Sequence, residues 1–178
     1  VDIKEGAMFG GKILVVFYSR TGTTRRTGSA LAAMLHADIE EIVETRGRAG
    51  PFGYLRSIVE AVNQKPADIV APKRDPSAYD LVVIGSPVWA GCVSSPVRAY
   101  LNAYWHQLPR IALFCSFAQR GADSALAQMR TLARKSPIAE CQVTSREALH
   151  DSASPVLTTF AERATRRLQE AIATAAAR

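Results

Sequence analysis

Residues Lys12 to Leu35, KILVVFYSRTGTTRRTGSALAAML, set a continuous apolar run against a hydroxyl-rich turn and then a helical pattern. Ile13 to Tyr18 are aliphatic or aromatic with no polar alternation, which suits a parallel strand covered on both faces rather than one with a wet side. The residues that follow, Ser19, Arg20, Thr21, Gly22, Thr23 and Thr24, supply hydroxyls, a backbone freed by Gly22, and the N–H groups that a helix start leaves without partners. A strand that ends in such a turn and restarts as a helix can hold an anion the size of a phosphate. No Lys follows a Gly in the spacing of a nucleotide-triphosphate loop, and the G-x-G-x-x-G of a dinucleotide fold is missing. A monophosphate cradle remains, beside the simpler reading in which the hydroxyls only cap the helix.

The same alternation continues along the chain. Strand-like runs at Lys12–Tyr18, Asp38–Val43, Asp80–Gly85, Ile111–Ser116 and about Ala139–Val143 are separated by helical patterns, which predicts an α/β doubly wound sheet. The first helix turns Gly28, Leu31, Ala32 and Leu35 to one face, with Gly28 allowing a close approach to the sheet. A second is expected at Gly53–Asn63, with Tyr54, Leu55, Ile58, Val59 and Val62 inward. A third is expected from Ser95-Pro96 to Tyr104, with Ser95 as cap and Pro96 in the first turn. A fourth spans Asp123–Lys135, and the last starts at Ser154-Pro155, with Val156, Leu157, Phe160, Ala164, Leu168 and Ile172 toward the sheet and the alanine-rich tail as its fraying end. The segment ETRGRAGPFG, Glu44 to Gly53, reads as a basic, turn-rich loop.

At 178 residues the chain is long enough for one buried core and short for two, so residues 12–178 are expected to form a single domain. Residues 1–11 read as an N-terminal extension, with Met8 expected as the natural start. No run reaches the roughly 18 to 20 apolar residues of a bilayer span, and no signal pattern stands at the beginning; a cytoplasmic protein is expected. Cys92, Cys115 and Cys141 show neither paired nor Cys/His metal-type spacing, so reduced thiols are expected and no metal site. The net charge of +6 comes from residues scattered along the chain rather than from a block, which argues against nucleic acid as a partner.

Open parallel sheets bind ligands at the carboxyl ends of their strands, so the loops after the first, third and fourth strands decide function. After the third, YDLVVIGSPVWAGCVSSPVRAYL places Pro87, Val88, Trp89, Ala90 and Gly91 in what reads as an exposed turn, where a Trp has little use unless something covers it. After the fourth, FCSFAQRGAD offers Ser116, Phe117, Gln119, Arg120 and Gly121. The hexamer SRTGTT resembles the phosphate loop of the flavodoxin family, usually written [ST]-x-T-G-x-T, and the Trp89 segment resembles that family's second flavin-contacting loop. The resemblance runs from Lys12 to Arg178. It implies a flavodoxin-like doubly wound five-stranded parallel sheet of order 2-1-3-4-5 with helices on both faces, and FMN as cofactor rather than FAD, since one domain offers no second site for an adenylate. It also implies phosphate binding by Ser19, Arg20, Thr21, Gly22, Thr23 and Thr24. Contact with the isoalloxazine ring falls to Pro87, Val88, Trp89, Ala90, Gly91, Ser116, Phe117, Gln119 and Gly121.

Two departures stand out. Many electron-carrying flavodoxins have Gly directly after the aromatic, where this chain has Ala90, and those carriers are acidic where this one is basic, with Arg20 and Arg120 in the candidate loops. A positive charge near the ring favours its reduced anion. Two roles therefore stay open: an electron carrier between redox proteins, and an NAD(P)H-dependent reductase acting on a small quinone or flavin. Other classes fare worse. Cys92 to Arg98 matches the C-x5-R loop of thiolate phosphatases, but Pro96 lacks an N–H and no Gly relaxes the loop. A phosphoacceptor domain needs acidic residues where Phe17 and Tyr18 stand, and G-x-S-x-G of a serine hydrolase is absent.

Overall fold

The computed structural model describes residues 11–45, 59, 62–150 and 154–177. Among them run the strands β1 (Ile13–Phe17), β2 (Asp38–Glu41), β3 (Leu81–Trp89), β4 (Cys92–Val93), β5 (Arg110–Phe117) and β6 (Glu140–Thr144). The helices are α1 (Thr23–Leu35), α2 (Ser95–Tyr104), α3 (Ala122–Ala133), α4 (Ser145–His150) and α5 (Pro155–Ala176). The parallel strands lie in the order β2-β1-β3-β5-β6, which is the expected 2-1-3-4-5 once the short β4 is counted apart. β4 pairs antiparallel with the end of β3.

The central strands are buried on both faces, and alternate residues feed two cores. Leu14, Val16, Val82 and Ile84 pack with Val97, Tyr100, Leu101, Leu126 and Met129 of α2 and α3. Ile13, Val15, Phe17, Leu81 and Val83 pack on the other side with Leu31 and Leu35 of α1 and with Leu157, Phe160, Ala164 and Leu168 of α5. Gly28 is the close approach that the sequence predicts: a Cβ there would collide with the Phe17 ring.

Several boundaries differ from the sequence reading. Most of the helix expected at 53–63 lies outside the described residues; Val59 and Val62, expected to face inward, are 47% and 54% exposed. β2 stops at Glu41, and Val43 turns outward because residues 43–45 leave the sheet to pair antiparallel with 68–70: Val70 N–H donates to Val43 O at 2.8 Å and Thr45 N–H to Asp68 O at 3.0 Å. The cap of α2 is Ser94 rather than Ser95, and its hydroxyl turns to Ser86 Oγ at 3.1 Å instead of the helix. α3 ends at Ala133, because Arg134 adopts φ +52°. At α5 the prediction holds: Ser154 Oγ accepts from Leu157 N–H at 3.4 Å, with Pro155 in the first turn.

Two elements were not expected. Residues 86–93 read as a loop because Pro and Gly punctuate them, yet β3 continues to Trp89, pairing Pro87 with Ser116 of β5 before turning back into β4. α4 follows β6 without a linker. Its start is a reciprocal cap in which Thr144 N–H and Oγ1–H donate to Glu147 Oε2 at 2.8 and 2.7 Å, while Glu147 N–H donates to Thr144 Oγ1 at 3.2 Å. The signal was present in the sequence as Thr144-x-x-Glu147, a capping box.

Candidate functional site

At the carboxyl ends of β1, β3 and β5 the three predicted loops meet around a cleft of about 220 Å³. The first loop contributes Arg20, Thr21, Thr23 and Thr24 to its wall. Ser19 and Gly22 stand behind them and shape the turn: Gly22 N–H donates to Ser19 Oγ at 3.1 Å, and Gly22 holds φ +97°, a conformation that suits glycine. The N-cap of α1 is Gly22, which has no side chain to cap with, so the N–H groups of its first turn, beside the cleft, have no intrahelical acceptor. The space that a Cβ on Gly22 would enter is open.

Thr24 Oγ1 and the buried Ser116 Oγ lie 2.7 Å apart, tying the first loop to the end of β5. One of the two protons bridges the pair; the other is available to a ligand. The third loop adds Phe117 and Ala118, and Ser145 at the start of α4 completes the wall while donating to Phe117 O at 3.2 Å. Ala118 and Ser145 are the lining residues that sequence reasoning missed; the capping box at Thr144 was the available signal for Ser145. Gln119 is exposed and outside the lining.

The second loop is a tight hairpin rather than an open turn. Pro87, Val88, Trp89 and Ala90 line the cleft, and Trp89 pairs with Cys92 across the two-residue turn Ala90-Gly91, whose φ values of +49° and +75° suit a primed hairpin turn. Gly121, with φ +95°, packs against Gly91: a Cβ on it would stand 2.5 Å from Gly91 Cα. Gly91 and Gly121 thus fix the spacing of two loops and do not themselves line the cleft. Trp89 corrects the expectation of an exposed aromatic. It is 9% exposed and belongs to the apolar core, its ring edge-on to Tyr18 at 5.7 Å and 89°. Tyr18 in turn donates to Glu44 Oε2 at 2.9 Å.

The polar lining of the cleft is mostly hydroxyl. Arg20 is the one charged residue among the described residues that line it, and the start of α1 adds the positive end of a helix dipole. The C-x5-R segment cannot surround an anion, because Cys92 is extended in β4 and Arg98 sits inside α2 with its N–H given to Ser94 O at 2.9 Å. Cys115 and Cys141 are buried thiols; burial pushes Cys115 up to about 12 and Cys141 upward as well, so neither is a nucleophile near neutrality. A larger cavity of about 330 Å³ lies at the sheet edge between β2 and residues 69–73, away from the three loops.

Comparison with known structures agrees with this architecture. A flavoprotein of Lactobacillus acidophilus NCFM, solved in complex with FMN, is 20% identical, with a TM-score of 0.64 over 75% of this chain and 92% of that one. A protein of Bacteroides eggerthii considered a flavoprotein is 20% identical, with a TM-score of 0.68 over 92% and 98%. An NADH:FMN oxidoreductase in its apo form is 13% identical, with a TM-score of 0.55 over 89% of each chain. No curated protein matches the sequence. Among the described residues no helix is long and apolar enough to cross a membrane. The flavodoxin family model matches residues 12–153, and with the sheet order and the three loops in place, the chain belongs to the flavodoxin family.

Proposed function

We propose that the protein is an FMN-binding flavoprotein that transfers electrons, with its cofactor in the cleft at the ends of β1, β3 and β5. The observation that carries this reading is the uncapped start of α1, ringed by Thr21, Thr23 and Thr24, beside a hairpin that brings Trp89 and Val88 to the same cleft. The donor set fits a phosphomonoester: backbone N–H groups, threonine hydroxyls and Arg20 supply positive partners, and no carboxylate lines the cleft among the described residues to repel it. Ser19 and Gly22 hold that loop in shape. Pro87, Val88, Trp89 and Ala90 from the end of β3 and Ser116, Phe117 and Ala118 from the end of the neighbouring β5 would contact the ring.

Bound there, FMN supplies the redox chemistry, and the protein binds, orients and tunes it. Trp89 and Phe117 would shield the bound ring from water, while Arg20 and the α1 dipole would add positive potential there. That charge favours a second reading, an NAD(P)H-dependent reductase of small quinones or flavins, over a carrier that docks basic partners through an acidic rim. The apo protein titrated with FMN should quench flavin fluorescence to a stoichiometric end point; no binding would sink the proposal. Anaerobic titration of the loaded protein with dithionite and with NADPH then separates the roles. Bleaching in two resolved steps supports the carrier, and rapid single-step bleaching by NADPH supports the reductase.

A further inference from the structure

Arg98, in the first turns of α2, is 5% exposed. Its guanidinium donates to Gln128 Oε1 at 2.7 Å, its Nε is buried with no hydrogen-bond partner, and among the described residues no carboxylate pairs with it. Buried cations are ordinarily paired, because an unpaired one loses its hydration without compensation. The start of α2 adds further positive potential. Burial accordingly holds the Arg98 pKa below the ordinary arginine value, with the Cys92 thiol acting in the opposite direction.

The partner of Arg98 bonds to the hairpin turn beside the cleft. Gln128, on α3, places Nε2 at 3.5 Å from Gly91 O and 3.3 Å from Ser124 Oγ. Gly91 is half of the hairpin turn whose other half, Ala90, lines the cleft. Among the described residues no carboxylate lines the cleft, and Arg98 is separated from the cleft's hairpin by one hydrogen-bonded side chain in an interior that screens charge poorly.

We propose that Arg98 is a positioning and charge-setting residue for this cleft: it orients Gln128 against the Ala90-Gly91 turn and biases the site toward the more negatively charged, reduced form of a bound flavin. This rests on the FMN reading above. Adding one electron to the ring adds one negative charge, and a buried cation nearby favours that state over the oxidised one.

The test compares the FMN-loaded parent with Arg98→Met, Arg98→Gln, Arg98→Lys and Gln128→Met, reading FMN affinity by fluorescence and midpoint potentials by anaerobic dithionite titration against reference dyes. Loss of the charge should lower the affinity ratio of reduced to oxidised FMN by about tenfold, a fall of about 59 mV for a one-electron step. Arg98→Lys should keep the parent potential within about 20 mV on the same scale. Gln128→Met should loosen oxidised FMN several-fold while leaving the potential in place. A folded Arg98→Met or Arg98→Gln protein with the parent potential would overturn the proposal alone, and so would failure of both uncharged variants to fold beside a folded Arg98→Lys, which would make the charge structural. A parent that binds no FMN would overturn the FMN reading and this proposal together.

Discussion

Thr24 and Trp89 each have two duties in this structure, one to the fold and one to the cleft. Thr24 is buried and bonded to Ser116, whereas Thr21, three residues earlier, is exposed. Thr24→Val should therefore destabilise the fold by about 1 to 3 kcal/mol, because it leaves Ser116 Oγ buried without its partner. Thr21→Ala should leave stability within about 0.5 kcal/mol and weaken FMN binding by one charge-assisted bond, about 1.5 to 3 kcal/mol. Urea denaturation of the apo proteins beside FMN titration separates the two; equal stability losses in both variants would contradict the assignment. Trp89 lies edge-on to Tyr18 inside the core. Trp89→Ala should cost about 3 to 5 kcal/mol as a core truncation, and Trp89→Phe considerably less because an aromatic edge contact survives. If thermal melts show Trp89→Ala to be as stable as Trp89→Phe, the indole has no structural duty and serves the ligand alone.

α4 shows how a short element is held by its first turn. Its six residues are too few to propagate as an isolated helix, so the reciprocal bonds between Thr144 and Glu147 carry its start. Those bonds, the Thr144 hydroxyl first and its backbone N–H second, hold the Glu147 carboxyl below the usual glutamate value. Because the folded pKa is depressed, the contribution is present above the ordinary glutamate pKa near 4.3 and is lost as pH falls through the lower folded value. The stability gap between the parent and Glu147→Ala should thus be constant from pH 7 to about 5 and shrink below pH 4. Denaturant melts at each pH measure that gap, and one that stays constant to pH 3 would remove the carboxylate from the cap. Ser145, the residue after Thr144, lines the cleft, so Glu147→Ala should also loosen FMN.

At the scale of the whole molecule, a sheet buried on both faces leaves its strand ends as the place where loops from distant parts of the chain converge. Residues near 20, 89, 117 and 145 share one cleft because β1, β3 and β5 are adjacent and parallel and β6 lies beside them. A ligand that bridges these loops binds the folded state alone. FMN at a hundred times its dissociation constant should raise stability by about 2.7 kcal/mol and the melting temperature by roughly 5 to 10 °C. Differential scanning fluorimetry with FMN, riboflavin and inorganic phosphate checks this: FMN should give the largest shift, and equal shifts for FMN and riboflavin would exclude a contribution from the phosphate loop.

The sequence alone carried the α/β class, the strand positions at Ile13–Phe17 and within Leu81–Trp89 and Arg110–Phe117, the close approach at Gly28, the Ser154-Pro155 start of α5 and the hydroxyl-rich turn after β1. Each of these rests on local chemistry: hydrophobic period, a cap, a missing Cβ or a run of hydroxyls acts within a few residues of itself. The hairpin at Ala90-Gly91 was hidden because Pro87 and Gly91 look alike in a loop and in a hairpin until the pairing partner is known. Burial of Trp89 against Tyr18, the bond of Thr24 to Ser116, the stacking of Gly121 on Gly91 and the burial of Arg98 without a carboxylate partner among the described residues were decided by the tertiary structure alone. Each is a contact or an absence of contact between residues that chain folding, and not spacing in the sequence, brings to one place.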